Sequence, residues 1–464
     1  VSLFDRLASR IAAKRNASPA VICISKNQPR ICQIRLFLIA GCLICAAPAQ
    51  GADSDSESSS PAQSVGEVSV TATRAEREVL NTPGNVTVID REQIERSGMR
   101  DVPELLRRQA GVFISNTTSS PDGYGMELRG FNNGSGSGSG TLVLVDGRRI
   151  NEPDSTNVDW SRLRLDNVER IEILRGPASA AWGDNAMGGV VQIFTRRGEG
   201  DTQATLKNRV GSYGKYGGSF YTGGSQGPVA ASLFAEGLDS DNYRDRAEFW
   251  SAQVQGNVRL SLGEKLSMDV SGGYLEDGRD RPGALSEAEI AILGRRAADP
   301  DTVGDALKRE RFHVDGHIEW TPRKDMLFTL RPYYQERDDD GQITSITGVP
   351  PDYMVPRPVQ FITDTKTETF GINPQGQIDH SWGWGKNRLI FGADILRDDI
   401  RKGDISVDTT DGTNPFDPGD KKSKRRIYAG YVQEELELAE RVTLSAGLRF
   451  DSTELAGRDR LDGR

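Results

Sequence analysis

After Cys45 the chain contains no cysteine, since all four, Cys23, Cys32, Cys42 and Cys45, lie near its start. Long apolar runs are scarce too: 36% of the residues are hydrophobic and the mean hydropathy is −0.51, which excludes helical membrane spans as the main architecture. A basic excess is missing. Residues 1–50 carry seven Lys/Arg and one Asp, a net of +6 within a chain of −9, so the remainder stands at −15, a balance that disfavours nucleic acid as a partner. Also absent are a Ser/His/Asp order, a paired-carboxylate context and a nucleotide motif. No catalytic residue, metal or cofactor is therefore assigned, and the chain is not read as an enzyme.

One apolar run does occur. Leu36 to Ala47 (LFLIAGCLICAA) follows Arg35 and ends at Ala47-Pro48-Ala49, the length and cleavage pattern of a signal peptide and too short to span a bilayer. Residues 1–52 are accordingly read as a presequence that directs export, leaving a mature chain without thiols. Ile39-Ala40-Gly41-Cys42 offers a lipoprotein box as the alternative. Val1 stands first and Met99 is the first methionine, so the start is either a non-standard codon or a fragment edge.

Residues 53–64 have nothing to bury and read as a flexible linker. Residues 65–74 hold Val68 to Thr73, β-branched at four of six positions and free of proline, a short strand with no neighbour in sequence to pair with. Such a segment suits addition to another protein's sheet edge; the alternative is an ordinary edge strand. Residues 75–200 read as a mixed α/β domain. Asp90 with Gln93 and Asp101 with Glu104 announce helix starts, Asp146-Gly147 demands a tight hairpin, Asp166 with Glu169 announces another cap, and Ile171 to Leu174 and Val190 to Thr195 read as strands.

From about residue 201 the texture becomes strict alternation. Ala252, Val254, Gly256, Val258, Leu260 and Leu262 alternate with Gln253, Gln255, Asn257, Arg259 and Ser261. Strands of ten or more residues, joined by short turns near 263–265, 322–326, 381–386 and 439–441 and by long charged loops near 276–309, 337–365 and 399–424, predict a transmembrane antiparallel β-barrel over 201–464. About eleven strands are expected before the polar stretch at 452–464, half a barrel. His313 and His317 share one polar face but lie about 13 Å apart along a strand, and read as lumen polarity rather than a metal site. Asp338-Asp339-Asp340 reads as solvated loop charge, with loose Ca²⁺ binding as the alternative.

These motifs in this order resemble the TonB-dependent outer-membrane receptors: Glu67-Val68-Ser69-Val70-Thr71-Ala72-Thr73 a TonB box, Leu128-Arg129-Gly130-Phe131, Leu142 to Gly147, Val168 to Gly183 and Gly188 to Ile193 plug motifs, Gly447 to Asp451 a barrel hairpin. The resemblance implies a mainly β fold, a 22-stranded barrel in the outer membrane occluded by an N-terminal plug. It implies active import of a large ligand such as a ferric siderophore or cobalamin, with TonB gripping residues 67–73 and lipid around the barrel. It implies that Arg129 and Arg175 lock plug to barrel through wall glutamates lying after Arg464. It places Asn116, Tyr124, Asn133, Asn151, Asp154 and Asn157 on plug loops facing the ligand. The Gly/Ser run 133–140 reads as a mobile loop. A passive porin or adhesin is the alternative function, and an outer-membrane enzyme a remote third. The short distance from cleavage site to box leaves no room for a periplasmic signalling domain.

Overall fold

The structure is a computed structural model, and it describes residues 69–70, 74, 77–78, 84–99, 101–116, 124–131, 140–155, 157–302, 304–349, 352–382, 385–408, 420–439 and 442–460. The presequence, the linker, Glu67, Val68, Thr71, Ala72, Thr73, Asn133 and the rest of the Gly/Ser run up to residue 139 lie outside these. Two short strands come first: β1 (Ser69–Val70) pairs antiparallel with β2 (Arg77–Glu78), Ser69 opposite Glu78 and Val70 opposite Arg77. The neighbour that the sequence did not reveal is thus seven residues downstream of Val70.

The plug then forms in local steps that the capping residues dictate. β3 (Asn85–Ile89) ends at Asp90, whose carboxylate accepts from Gln93 N–H while the Gln93 side chain accepts from Asp90 N–H, starting α1 (Arg91–Ser97). Gly98 stops it in the left-handed region at φ 64°. Asp101 caps α2 (Val102–Arg107), with proline in its first turn. A hairpin that the sequence analysis missed follows, β4 (Val112–Asn116) against β5 (Tyr124–Leu128). β6 (Thr141–Val145) turns through Asp146 and Gly147, both at positive φ, into β7 (Arg148–Arg149), as the Asp-Gly pair predicts.

β8 (Val168–Arg175), α3 (Ser179–Trp182) and β9 (Gly189–Thr195) complete a five-stranded sheet ordered β3-β8-β9-β6-β7, in which β6 and β9 run parallel. Val102, Leu106, Leu128, Val143, Ile171, Ile173, Val191 and Ile193 are wholly buried in one cluster, and Trp160 seals it by donating Nε1–H to the Tyr124 carbonyl at 3.1 Å. Asp166 does not cap a helix turn. Leu165–Asn167 is a 3₁₀ turn with no side-chain cap, and the Asp166 carboxylate is spent elsewhere.

The remaining strands make one antiparallel meander of eleven: β10 (Gln203–Val210), β11 (Tyr216–Gln226), β12 (Val229–Ser240), β13 (Phe249–Leu262), β14 (Leu266–Asp280), β15 (Ala306–Arg323), β16 (Met326–Val349), β17 (Asp352–Trp382), β18 (Gly385–Asp408), β19 (Asp420–Ala439) and β20 (Val442–Arg460). Each strand pairs with its sequence neighbour, and β10 and β20 are not paired with each other. The short turns at 263–265 and 324–325 fall where expected. Val258, Met268, Val270, Val432, Leu448 and Phe450 stand exposed on one face, while Ser251, Asn257, Asp269, Arg311 and Gln377 are buried on the other, towards the plug. That inversion, apolar outside and polar within, is the signature of a sheet built to face lipid.

Three loop expectations are corrected. Residues 337–365 are not a loop, because the β16–β17 ladder continues through them, from Arg337 opposite Thr367 to Gly348 opposite Pro356. The 31 residues of β17 reach roughly 100 Å at about 3.4 Å each, some three times a hydrocarbon core of about 30 Å, so the ribbon extends well beyond lipid. β18 likewise runs on to Asp408, and β19 begins at Asp420. Charge density hid β-branched alternation such as Ile343 and Ile362. The 276–309 connection is shorter than expected, 281–305, and holds α4 (Glu287–Leu293), boxed by Ser286 and Glu289.

Candidate functional site

Every functional contact of the plug is made against the polar face of the barrel sheet, and Arg74 makes the first. It follows the box-like segment directly and sits at φ 70°. Its guanidinium meets the Asp394 carboxylate of β18 through two bonds of 2.7 and 3.1 Å and donates to the Tyr431 hydroxyl at 2.9 Å. The rings of Trp182 in the plug and Tyr431 in β19 each lie 4.3 Å from its Cζ. Gln375 of β17 donates to its carbonyl at 2.8 Å, and Arg449 of β20 binds the same Asp394 at 2.6 Å. A bidentate, stacked guanidinium in a largely desolvated slot is a strong contact. It fastens the chain to the wall just beyond Thr73.

Replacing Arg74 by alanine removes three charge-assisted bonds and both stacks while leaving Asp394 its Arg449 partner, a loss of roughly 2–3 kcal/mol for the clamp. Limited proteolysis between residues 69 and 78 is expected to accelerate about tenfold or more. Cleavage at the parent rate would mean that the clamp does not hold this segment.

On the opposite arc the plug offers carboxylates. Asp166 accepts from Ser219 Oγ at 2.6 Å and Lys207 Nζ at 3.1 Å and also pairs with Arg209, all on β10 and β11. Burial pushes its carboxyl up, but these partners outweigh burial and hold it below the usual carboxylate range. Asp159, whose side chain is 1% exposed, faces Arg309 at 3.0 Å, Arg311 at 3.5 Å and Arg162 at 3.6 Å, and accepts from Ser161 N–H and Oγ–H. Burial opposes its ionisation, yet the three guanidinium groups hold its pKa far down. Glu152, nearby, goes the other way, because burial outweighs Arg337 and Arg311.

Further bridges run from the plug hairpin and its flanks. Arg148 pairs with Asp315 at 2.7 Å and donates to Gln335 at 2.9 Å, Arg197 pairs with Asp269 at 2.9 Å, and Arg164 and Asn167 donate to Ser251 and Gln255. The plug is therefore tied around the arc from β10 to β20 by hydrogen bonds and ion pairs.

The residues singled out from sequence divide. Arg175 spends its guanidinium within the plug, on the Ala110 carbonyl at 2.7 Å, Thr87 Oγ1 at 2.6 Å and Asn85 Oδ1 at 3.2 Å. Burial and the neighbouring Arg129 push its pKa down. Arg129 lies over Gly176, and neither arginine donates to a barrel strand among the described residues. Asn151 is spent within the plug. It is 3% exposed, accepts from Val143 N–H at 2.8 Å and donates to the Thr141 carbonyl at 3.1 Å, pinning the hairpin. Asp154 is held bidentately by Arg337 of β16, at 2.9 and 3.0 Å. Tyr124 packs half-buried against the plug core, Asn157 closes a turn by accepting Glu152 N–H through its carbonyl, and Asn116 pairs opposite Tyr124.

His313 lies 3.6 Å from Asp315. The Asp338–Asp340 run splits by alternation: Asp339 turns inward to Arg337 at 2.8 Å, whereas Asp338 and Asp340 join Asp364 in a group of carboxylates. Sequence reasoning missed Arg74, Arg148, Asp159, Asp166 as a wall contact, and Arg197. For Arg74 the available signal was its place beside the box-like segment; for the others no local pattern marks a partner over forty residues away.

Two family models match the chain, one described as the TonB-dependent receptor plug domain over residues 78–190 and one as the TonB dependent receptor-like β-barrel over residues 256–464. A vitamin B12 transporter, BtuB, of Photobacterium profundum is 30% identical over 243 residues, 49% of this chain and 39% of that protein. A probable TonB-dependent siderophore receptor, PirA, of Acinetobacter baumannii is 24% identical over 441 residues, 82% of this chain and 55% of that one. The chain thus spans about half or less of the length of these relatives. Among solved structures, the unliganded ferric citrate transporter FecA superposes with a TM-score of 0.70 at 19% identity, over 83% of this chain and 58% of that one. The ferric yersiniabactin uptake receptor FyuA of Yersinia pestis gives 0.66 at 16% identity, over 81% and 58%. Both likenesses speak to the fold.

Proposed function

This chain belongs to the TonB-dependent receptor family, and from that premise we propose that it serves the active import of a large, scarce ligand, a ferric siderophore or cobalamin, across the outer membrane. The observation that carries the reading is the plug's attachment. A domain tied into the polar face of a barrel sheet by ion pairs such as Arg74–Asp394, Arg148–Asp315 and Arg197–Asp269 blocks the lumen at rest. A passive pore gains nothing from such a stopper, whereas an energised importer needs one that holds and can be moved.

Buried ion pairs fit that requirement. Their desolvation offsets much of their attraction, so they fix geometry without making the plug immovable. The outer membrane holds no nucleotide fuel, and work must arrive through a partner. Residues 67–73, ahead of the Arg74 clamp, are the grip we assign to TonB, by strand addition. Arg129 and Arg175 stay assigned as a lock between plug and barrel, and Asn116, Tyr124, Asn133, Asn151, Asp154 and Asn157 as residues of the ligand-facing loops. Export through a cleaved presequence and the boundaries 1–52, 53–64, 65–74, 75–200 and 201–464 complete the reading.

The test is uptake by a deletion strain carrying the gene, supplied with single ferric chelates or with cobalamin, in cells with and without TonB. One ligand is expected to enter only when TonB is present. Entry that does not depend on TonB would mark a passive pore instead.

A further inference from the structure

A cavity of about 490 Å³ lies between the plug sheet and the barrel sheet, and one of its arginines stands apart from the rest. Eight arginines line it against six carboxylates. Seven of those arginines have partners: Arg74 and Arg449 share Asp394, Arg149 holds Asp184, Arg170 holds Glu172, Arg196 donates to Gln203, Arg197 holds Asp146 and Asp269, and Arg259 holds Glu199. The eighth, Arg331 of β16, makes no hydrogen bond or ion pair among the described residues. Its stem runs beneath the plug's Asp146–Gly147 turn, where a Cβ on Gly147 would stand 3.2 Å from Arg331 Cδ.

His317 lies across the β15–β16 pair from it, by the register that sets Asp315 opposite Tyr333 and Ile318 opposite Leu330. Its Nε2 is buried without a hydrogen-bond partner. Glu319, the carboxylate next along that face of β15, makes no ion pair with Arg331. A buried imidazole nitrogen left unpaired is costly, and the guanidinium across from it has its fork free for a ligand that would satisfy both.

We propose that this cavity is a binding subsite for an oxyanion, a carboxylate or phosphate group, received by the Arg331 fork and the His317 ring nitrogen. Five donors in a planar fork suit a carboxylate or phosphate bidentately, and the volume equals the share of roughly sixteen waters, room for a small polycarboxylate. Its purpose rests on the import reading, since a pocket between plug and wall is where an anionic cargo would pause in transit. Its existence does not rest on it, and the test needs no transport.

A thiol at Thr329→Cys, which lines the cavity two residues from Arg331 on the same face, reports on it in the full chain once every native cysteine, Cys23, Cys32, Cys42 and Cys45 included, is replaced by serine. Anionic and cationic methanethiosulfonates of equal size are compared for labelling rate. The anionic reagent is expected to be favoured about tenfold over its ratio with a free thiol, given a guanidinium without a direct ion-pair partner nearby. That preference disappears in Arg331→Gln and persists in Arg331→Lys. Citrate slowing the anionic reagent where inorganic phosphate does not identifies a polycarboxylate cargo; slowing by both identifies a general oxyanion site. A preference that survives Arg331→Gln, no slowing by either anion, or a thiol that neither reagent reaches would each overturn the proposal. Loss of TonB dependence in uptake with the labelling pattern intact would instead remove the import reading alone.

Discussion

Val70→Pro is expected to reduce ligand uptake to the level of cells lacking TonB, while binding of the same ligand at the cell surface stays at the parent level. Proline removes the Val70 N–H and fixes φ near −65°, so a strand added to another sheet edge loses a rung at its centre. Val70 also pairs with Arg77 in the resting chain, but that ladder is two residues long. Each rung contributes only about 0.5–1.5 kcal/mol net, so giving it up to a partner costs little. Val70→Ala keeps the N–H and is expected to keep uptake. Equal uptake by the proline and alanine variants would remove residues 67–73 as the grip.

The second large effect is expected at Asp159. Asp159→Ala leaves Arg309, Arg311 and Arg162 facing one another in a site where the carboxylate is 1% exposed, and removing one member of a buried charge cluster costs about 3–5 kcal/mol. The plug should lose its seat on β15 before the barrel melts. Calorimetry would then resolve an early plug transition, and a large antibiotic normally excluded would enter the cells. Asp159→Asn keeps an acceptor for Ser161 but not the charge, and should fall between. Because the folded pKa is depressed, this stabilisation is complete above the ordinary carboxylate pKa of about 3.9 and is lost only as pH falls through the lower folded value. A parent-like melting profile for Asp159→Ala would show that the plug's seat lies elsewhere.

How much of this was legible differs by range. Capping residues act over three or four positions, and Asp90, Gly98, Asp101 and the Asp146-Gly147 turn were read correctly because their partners are adjacent. Alternation from Ala252 to Tyr274 gave the barrel because a pleated strand shows both faces to the reader. The ribbon at 337–365 was missed because charge was taken as a mark of loops, although a ladder in water tolerates charge on both faces. Asp166 was misread for a related reason. Its local pattern matches a cap, but Lys207, Arg209 and Ser219, which claim the carboxylate, lie forty or more residues away. The plug's wall contacts share that property, and nothing short-range encodes them.

The order of strands in the plug sheet has a mechanical consequence. β3 is the strand nearest the amino-terminal segment, and it occupies an outer position, bonded on one side only to β8 through five residue pairs. Beyond it, β8 and β9 are joined through seven pairs, and β9 leads directly into β10. Tension that has freed the Arg74 clamp would next load the edge strand β3, while the far end of the domain remains tethered to the barrel sheet. The plug is thus arranged like a tear strip fastened at its tab by Arg74. Traction would peel one strand along a defined line and leave the remaining four as a template on which β3 could re-form.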